Sequence, residues 1–206
     1  MGDGTTKLVP TTELGFLDGD MFIISCQYDQ SQVTANSTSI PVTLLSTPLC
    51  IDPKNNEGLT QTKAEPTNPL YSLDKQQSSL VYYDKNTIVL TMPYWVKVTN
   101  SSVEDSELKK HSFVLSYDPT TMKDTDTKLK LYISHVVDDA GETVTRSNFT
   151  YAYRAYSIRD ALTVFKEKTG KLPKYLELTA KTNSSKDELK EESGETSVEY
   201  DYAFTE

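Results

Sequence analysis

The stretch "LKLYISHVVDDAGE", Leu129 to Glu142, gathers residue types that bind metals and move protons. His135 is one of two histidines in the chain, and Asp138, Asp139 and Glu142 follow closely. An imidazole beside carboxylates can ligate a divalent cation or work as an acid–base pair. Strand parity and turn chemistry point to a plainer reading. Side chains alternate along a strand, so His135 shares a face with Leu129, Leu131 and Ile133. In "HSFVLSYD", His111 falls in the same way with Phe113, Leu115 and Tyr117. Both histidines then sit on apolar strand faces near a strand end, where an imidazole hydrogen-bonds across the edge of a core. "DDAGE" is turn chemistry, because Asp opens turns and Gly accepts positive φ. Carboxylates on a turn tip face water. The expectation is a core strand ending in a hairpin turn, with no metal ligands and no catalytic residue.

Other chemistries find less support. There is no G-x-S-x-G elbow and no phosphate-cradling glycine pattern among the eight glycines. "DPKNNEG" and "DTDT" lack the alternating oxygen ligands and distal Glu of a calcium loop. A carboxylate pair for glycoside hydrolysis is a spatial arrangement that one sequence does not display. Cys26 and Cys50 have no CxxC spacing, which leaves zinc and dithiol redox chemistry unsupported. Two readings of them stay open: two buried thiols, or one disulfide between neighbouring strands in an oxidising compartment. No cofactor is expected.

Aromatic residues are the better lead to a binding surface. "VYYD", "MPYWV" and "FTYAYRAY" hold Tyr82, Tyr83, Tyr94, Trp95, Tyr151, Tyr153 and Tyr156. Consecutive residues of a strand point to opposite faces, so one of Tyr94 and Trp95 could reach the surface and stack on sugar or protein. The alternative is an aromatic core with ordinary Tyr-rich sheet faces. Sequons at Asn36, Asn100, Asn148 and Asn183 are what chance gives a Ser/Thr-rich chain.

The elements that would position these residues are mostly strands. "MFIISCQY", "IPVTLLSTPLCI", "SLVYYD", "TIVLTMPYWVKV", "HSFVLSYD", "KLKLYISHVV", "TVTRSNFTYAYRAY", "YLELTAKT" and "TSVEYDYAFT" read as strands separated by polar turns. "LDGD", Leu17 to Asp20, is a turn signal, and Lys85-Asn86 closes a hairpin. Pro93 suggests an edge strand or a bulge, since proline cannot donate to a ladder. One helix is expected over about residues 158–168, in "SIRDALTVFKEKTG". Ser157 and Asp160 suit a capping box, Ile158, Ala161, Leu162 and Phe165 form a stripe, and Gly170 and Pro173 stop it. Strands with regular turn signals and one helix make the expected fold all-β, a sandwich or a barrel.

Composition limits the partners. The 206 residues carry a net charge of −9 with a pI of about 4.8. Such a chain repels phosphate backbones and anionic lipid surfaces, so no nucleic acid is expected. No run approaches the ~20 apolar residues of a membrane helix. Ser and Thr make up roughly a fifth to a quarter of the chain, above ordinary usage, and with 13 Tyr they favour strands and an exported β-rich protein. "MGDGTT" has no hydrophobic signal core. A cytosolic protein and a mature fragment of an exported one both fit that start, and the composition favours the second.

The order of the runs resembles the NigD-like family of exported proteins from Bacteroides-type bacteria. The resembling pieces are "LVPTTELGFLDGDMFIISCQYD", "NTIVLTMPYWV", "KKHSFVLSYD", "KLKLYISHVVDDAGE" and "YRAYSIRDAL". The resemblance implies an OB-like barrel over residues 5–78 before a β-sandwich over 79–206 that carries the helix, and a lipoprotein facing the outer membrane or periplasm. It implies no enzymatic role. The membrane would be reached only through a lipid anchor on a cysteine outside this chain. The founding member's bacteriocin gene cluster suggests immunity or accessory binding to a protein partner. A glycan-binding or carbohydrate-active surface protein is the alternative. The polar stretch 52–77 is long for the family pattern.

Overall fold

A computed structural model describes residues 6–12, 21–34, 36–51, 59–189 and 194–204. The "LDGD" turn lies outside them. The chain divides into two units, Met1–Pro53 and Lys54–Glu206.

In the first unit, β1 (Lys7–Pro10) runs parallel to β4 (Ser39–Leu44), which pairs antiparallel with β3 (Cys26–Gln27). β2 (Met21–Ile23) pairs with β5 (Leu49–Ile51) in a separate two-stranded sheet. Both sheets are open among the described residues. "MFIISCQY" is therefore two short strands in two sheets, and "IPVTLLSTPLCI" likewise divides around Pro48. The alternation in "SIPVTL" is that of a half-buried strand, with Ile40 and Val42 buried and Ser39, Pro41 and Thr43 exposed. Cys26 is a half-buried free thiol opposite Leu44, whereas Cys50 pairs with Phe22 in the other sheet. The side chain of Cys50 lies outside the description.

The second unit is a sandwich of two sheets with one longer helix. The first sheet has the order β10-β7-β6: β6 (Ser79–Asp84), β7 (Thr87–Val96) and β10 (Asn148–Ser157). β6 and β7 form the expected hairpin around Lys85-Asn86. The second sheet has the order β12-β11-β9-β8: β8 (His111–Ser116), β9 (Lys128–Val137), β11 (Tyr175–Lys181) and β12 (Glu195–Asp201). Ile88, Leu90, Met92 and Tyr94 of β7 meet Leu115, Leu129, Leu131, Leu176 and Leu178 in one continuous core. β7 is central rather than at an edge. Its pairing with β6 ends at Thr91, so at Pro93 the missing N–H meets no β6 partner, and the Pro93 carbonyl accepts from Tyr71 N at 2.9 Å. The bulge lies in β6 instead, between Tyr82 and Asp84.

Residues 60–78, assigned above to the first domain, pair inside the second unit. Thr60 bridges to Ser116, Asn68 to His135, and Leu70 to Tyr94 and Thr182. Leu70 and Leu73 are buried in the sandwich core. The turn after β9 also differs from expectation. It does not close a hairpin, because β10 belongs to the opposite sheet.

α1 (Asp105–Leu108) is a single turn ahead of β8. α2 (Arg159–Thr169) buries Ala161, Leu162 and Phe165, as its apolar stripe requires. Ser157 is the last residue of β10, and Ile158 precedes the helix with no side-chain cap. The capping-box expectation fails because Tyr156 and Ser157 are committed to the ladder with Ile88 and Thr87. At the other end, Gly170 takes φ 72° and its N–H bonds the Lys166 carbonyl, a left-handed cap that glycine adopts without strain.

Candidate functional site

Antiparallel register places Phe113 opposite His135 and His111 opposite Val137. The two imidazoles thus project diagonally from the same sheet face and stack with centroids 5.2 Å apart. Both are buried, with His135 1% exposed. Tyr94 of the facing sheet packs against both rings, and burial pushes its hydroxyl pKa up to about 12.

The imidazoles begin a buried polar chain. His135 Nδ1 lies 3.0 Å from the Pro69 carbonyl, which only accepts, so this nitrogen carries the proton. His135 Nε2 then accepts from His111 Nδ1–H at 2.9 Å. With both rings neutral, the bare His111 Nε2 faces Glu107 Oε1 at 3.2 Å, the longest of the three contacts. Glu107 sits on α1, four residues before His111, and its Oε1 accepts from Lys97 N at 3.0 Å and Arg146 Nε at 2.6 Å. Arg146 then grips Asp139 with both terminal nitrogens, at 2.9 and 2.6 Å, and reaches Asp187 at 3.3 Å. Asn68 Nδ2 donates to Asp187 at 2.8 Å, and Lys110 approaches Asp139 at 3.3 Å.

The electrostatics follow from burial and pairing. Burial pushes His111 below the ordinary histidine value and His135 further, to about 3. Burial opposes the Glu107 charge, but the Lys97 amide and Arg146 outweigh it and hold the carboxyl low. Arg146 hydrogen bonds lower Asp139 in the same way. The chain can therefore hold charge and respond to protons. Among the described residues, no three His, Cys, Asp or Glu side chains converge as a metal cluster. A reacting atom would need access to an imidazole, and the His111 side chain is fully buried.

The histidines lie where strand parity puts them. Asp138 is a turn residue as expected, accepting from Ala140 N at 3.0 Å, and Gly141 takes φ 83°. Asp139 departs from expectation. It turns inward to Arg146 instead of facing water. Glu107, Arg146 and Asp187 were not singled out by the sequence. The four-residue spacing of Glu107 and His111 is the signal that could have found their contact.

The stacking candidates lie elsewhere than the surface. Tyr94 is 4% exposed in the core, and Trp95 is 6% exposed with its indole N–H donating to the Asn183 carbonyl at 2.8 Å. Tyr71 packs edge-on to Trp95 and stacks on Phe149 at 4.3 Å. On this outer face of β10, Phe149 and Tyr151 are 42% and 40% exposed. Tyr83 of β6 is more exposed still. Trp95 thus supports the accessible aromatics without being one.

Comparison with solved structures finds similarity over nearly the whole chain. A candidate lipoprotein of Bacteroides fragilis shares 29% identity and a TM-score of 0.77, over 98% of this chain and 91% of its own. An uncharacterised protein of Parabacteroides merdae has 15% identity and a TM-score of 0.57, over 96% and 89%. A Bacteroides vulgatus protein of unknown function, DUF1344, has 8% identity and a TM-score of 0.50, over 97% and 80%. The last two share the fold alone. No family model matches the chain, and no curated relative matches it. No described helix is long and apolar enough to cross a membrane.

Proposed function

We propose that this chain is the mature part of an exported, lipid-anchored envelope protein of NigD-like type. Its role is non-catalytic: binding or accessory, with bacteriocin immunity the family-level analogy. The observation that carries this reading is the full-length similarity to the Bacteroides fragilis candidate lipoprotein. The burial of both imidazoles agrees with it, since the histidine chain holds segments together and offers no accessible base. The test is to express the full-length gene product in a Bacteroides host and follow palmitate labelling and detergent partitioning. A labelled protein in the envelope fraction is expected. An unlabelled protein confined to the cytosol would overturn the reading.

A second reading, glycan binding, is favoured by the exposed pair Phe149 and Tyr151 beside Tyr71. Aromatic faces on a rigid sheet suit the apolar faces of sugars. Glycan-array binding that Phe149→Ala or Tyr151→Ala abolishes would establish it. A blank array would count against it.

A further inference from the structure

The chain carries 30 Asp and Glu against 21 Lys and Arg, yet one groove of the second unit inverts this balance. A cavity of about 290 Å³ opens between the first turns of α2, the Lys85-Asn86 turn and the chain after β12. Lys85, Arg159 and Lys166 line it, and among the described residues no carboxylate does. A second cavity of about 420 Å³ shares Leu172, Tyr202 and Phe204 with the first and adds Lys171, Lys174 and a single acid, Asp201. Among the described residues the joined groove thus gathers five cations and one carboxylate in a protein of net charge −9.

Local structure explains the gathering only in part. Arg159, Leu162, Thr163 and Lys166 share one helix face by their spacing, so the helix presents two cations across a buried leucine. A cation in the first helical turn opposes the macrodipole, so Arg159 gains nothing from its own helix. Lys85, Arg159, Lys171 and Lys174 enter no ion pair among the described residues. The floor is apolar: Leu162, Leu172 and the Tyr202–Phe204 ring pair, whose centroids lie 5.5 Å apart. Small-molecule sites are concave and mostly apolar, span about 300–1,000 Å³, and carry a few polar groups that fix orientation. An apolar floor under a cationic rim is complementary to an apolar body with one anionic head.

We propose that this groove binds a small amphiphilic monoanion, its apolar body on Leu162, Leu172, Tyr202 and Phe204 and its head between Lys85 and Arg159. The overall negative charge keeps acidic macromolecules and anionic surfaces away, so a single monomeric molecule is the fitting occupant.

The test is calorimetric titration of the intact protein with sodium decanoate below its micellar range. Saturable one-site binding is expected, weakened at least tenfold by Lys85→Glu/Arg159→Glu and weakened by added salt. Decanol, with the same chain and no charge, is expected to bind at least tenfold more weakly. Lys130→Glu makes half that change in net charge, at an exposed position of β9 outside the groove, and is expected to leave affinity within twofold. Thermal melts of each variant confirm folding, and Arg159→Gln serves if the double reversal fails to fold. Absence of saturable binding overturns the proposal. So does equal binding of decanol, or an equal loss in Lys130→Glu. Binding only to anionic vesicles, with none to monomeric decanoate, would also overturn it.

Discussion

Arg146 is 4% exposed and touches Glu107, Asp139 and Asp187. Removing one member of a buried ion network leaves its partners charged and unpaired, which costs about 3–5 kcal/mol. Arg146→Met is expected to lower the unfolding free energy by that order in urea titrations at constant slope. Lys186→Met, which breaks an exposed pair with Glu188, is expected to cost less than about 1 kcal/mol. Equal effects would mean that Arg146 is solvated in solution. The histidines add a pH dependence. Their folded pKa values lie below the unfolded value of about 6.5, so the unfolded chain binds more protons below that pH. Their contribution is complete above about pH 6.5 and is lost as pH falls toward the folded values, about 3 for His135. Glu107 and Asp139, also lowered, add a loss of the same sign below about pH 4. Urea midpoints are therefore expected to fall steadily from about pH 7 to pH 4, and His135→Gln to flatten the upper part of that fall. A midpoint constant across this range would contradict the assignment. At this scale strand parity made the histidine positions legible. The rest of the network was not, because Glu107, Arg146 and Asp187 lie in polar connections and nothing in a loop sequence marks a buried arginine.

The elements show where periodicity is sufficient and where tertiary pairing decides. The stripe of Ala161, Leu162 and Phe165 and the stop at Gly170 made α2 legible to within a residue of its bounds, Arg159–Thr169. Its cap was not, since the ladder from β10 claims Ser157. A Cβ at Gly170 would meet nothing within 4 Å, so Gly170→Ala changes only the cost of φ 72°. The expected loss is about 1 kcal/mol in thermal or urea unfolding, and no loss would show that the cap relaxes. "MFIISCQY" and "IPVTLLSTPLCI" looked like single strands because apolar runs do not display which sheet they join. Pro93 signalled a real absence of pairing, but only over the end of a central strand, beyond the reach of β6.

For the whole molecule, the all-β class was legible from β-branched and Tyr-rich runs, while the extent of the sandwich was not. The stretch 59–78 has three prolines nearby and little periodicity, so it reads as a connection. It is an extended segment whose pairing partners lie far along the chain. Thr60 N and Tyr117 N bond across to Leu115 and Thr60 carbonyls, Leu70 N bonds the Lys181 carbonyl, and Asn183 N bonds the Leu70 carbonyl. Leu70 and Leu73 are 1% and 2% exposed in the core, and the Pro69 carbonyl ends the histidine chain. A fragment beginning at residue 79 would lose those two leucines, worth about 1.5–3 kcal/mol each, and leave His135 without its acceptor. It would also expose the backbone groups that residues 60–70 now satisfy. The fragment 54–206 keeps every residue described in the core cluster. Expressed separately, 54–206 is expected to give dispersed amide resonances and a cooperative melt, whereas 79–206 is expected to aggregate or melt without cooperativity. A folded 79–206 would return the boundary to the end of the polar stretch, and an unfolded 54–206 would show that the sandwich needs the preceding strands.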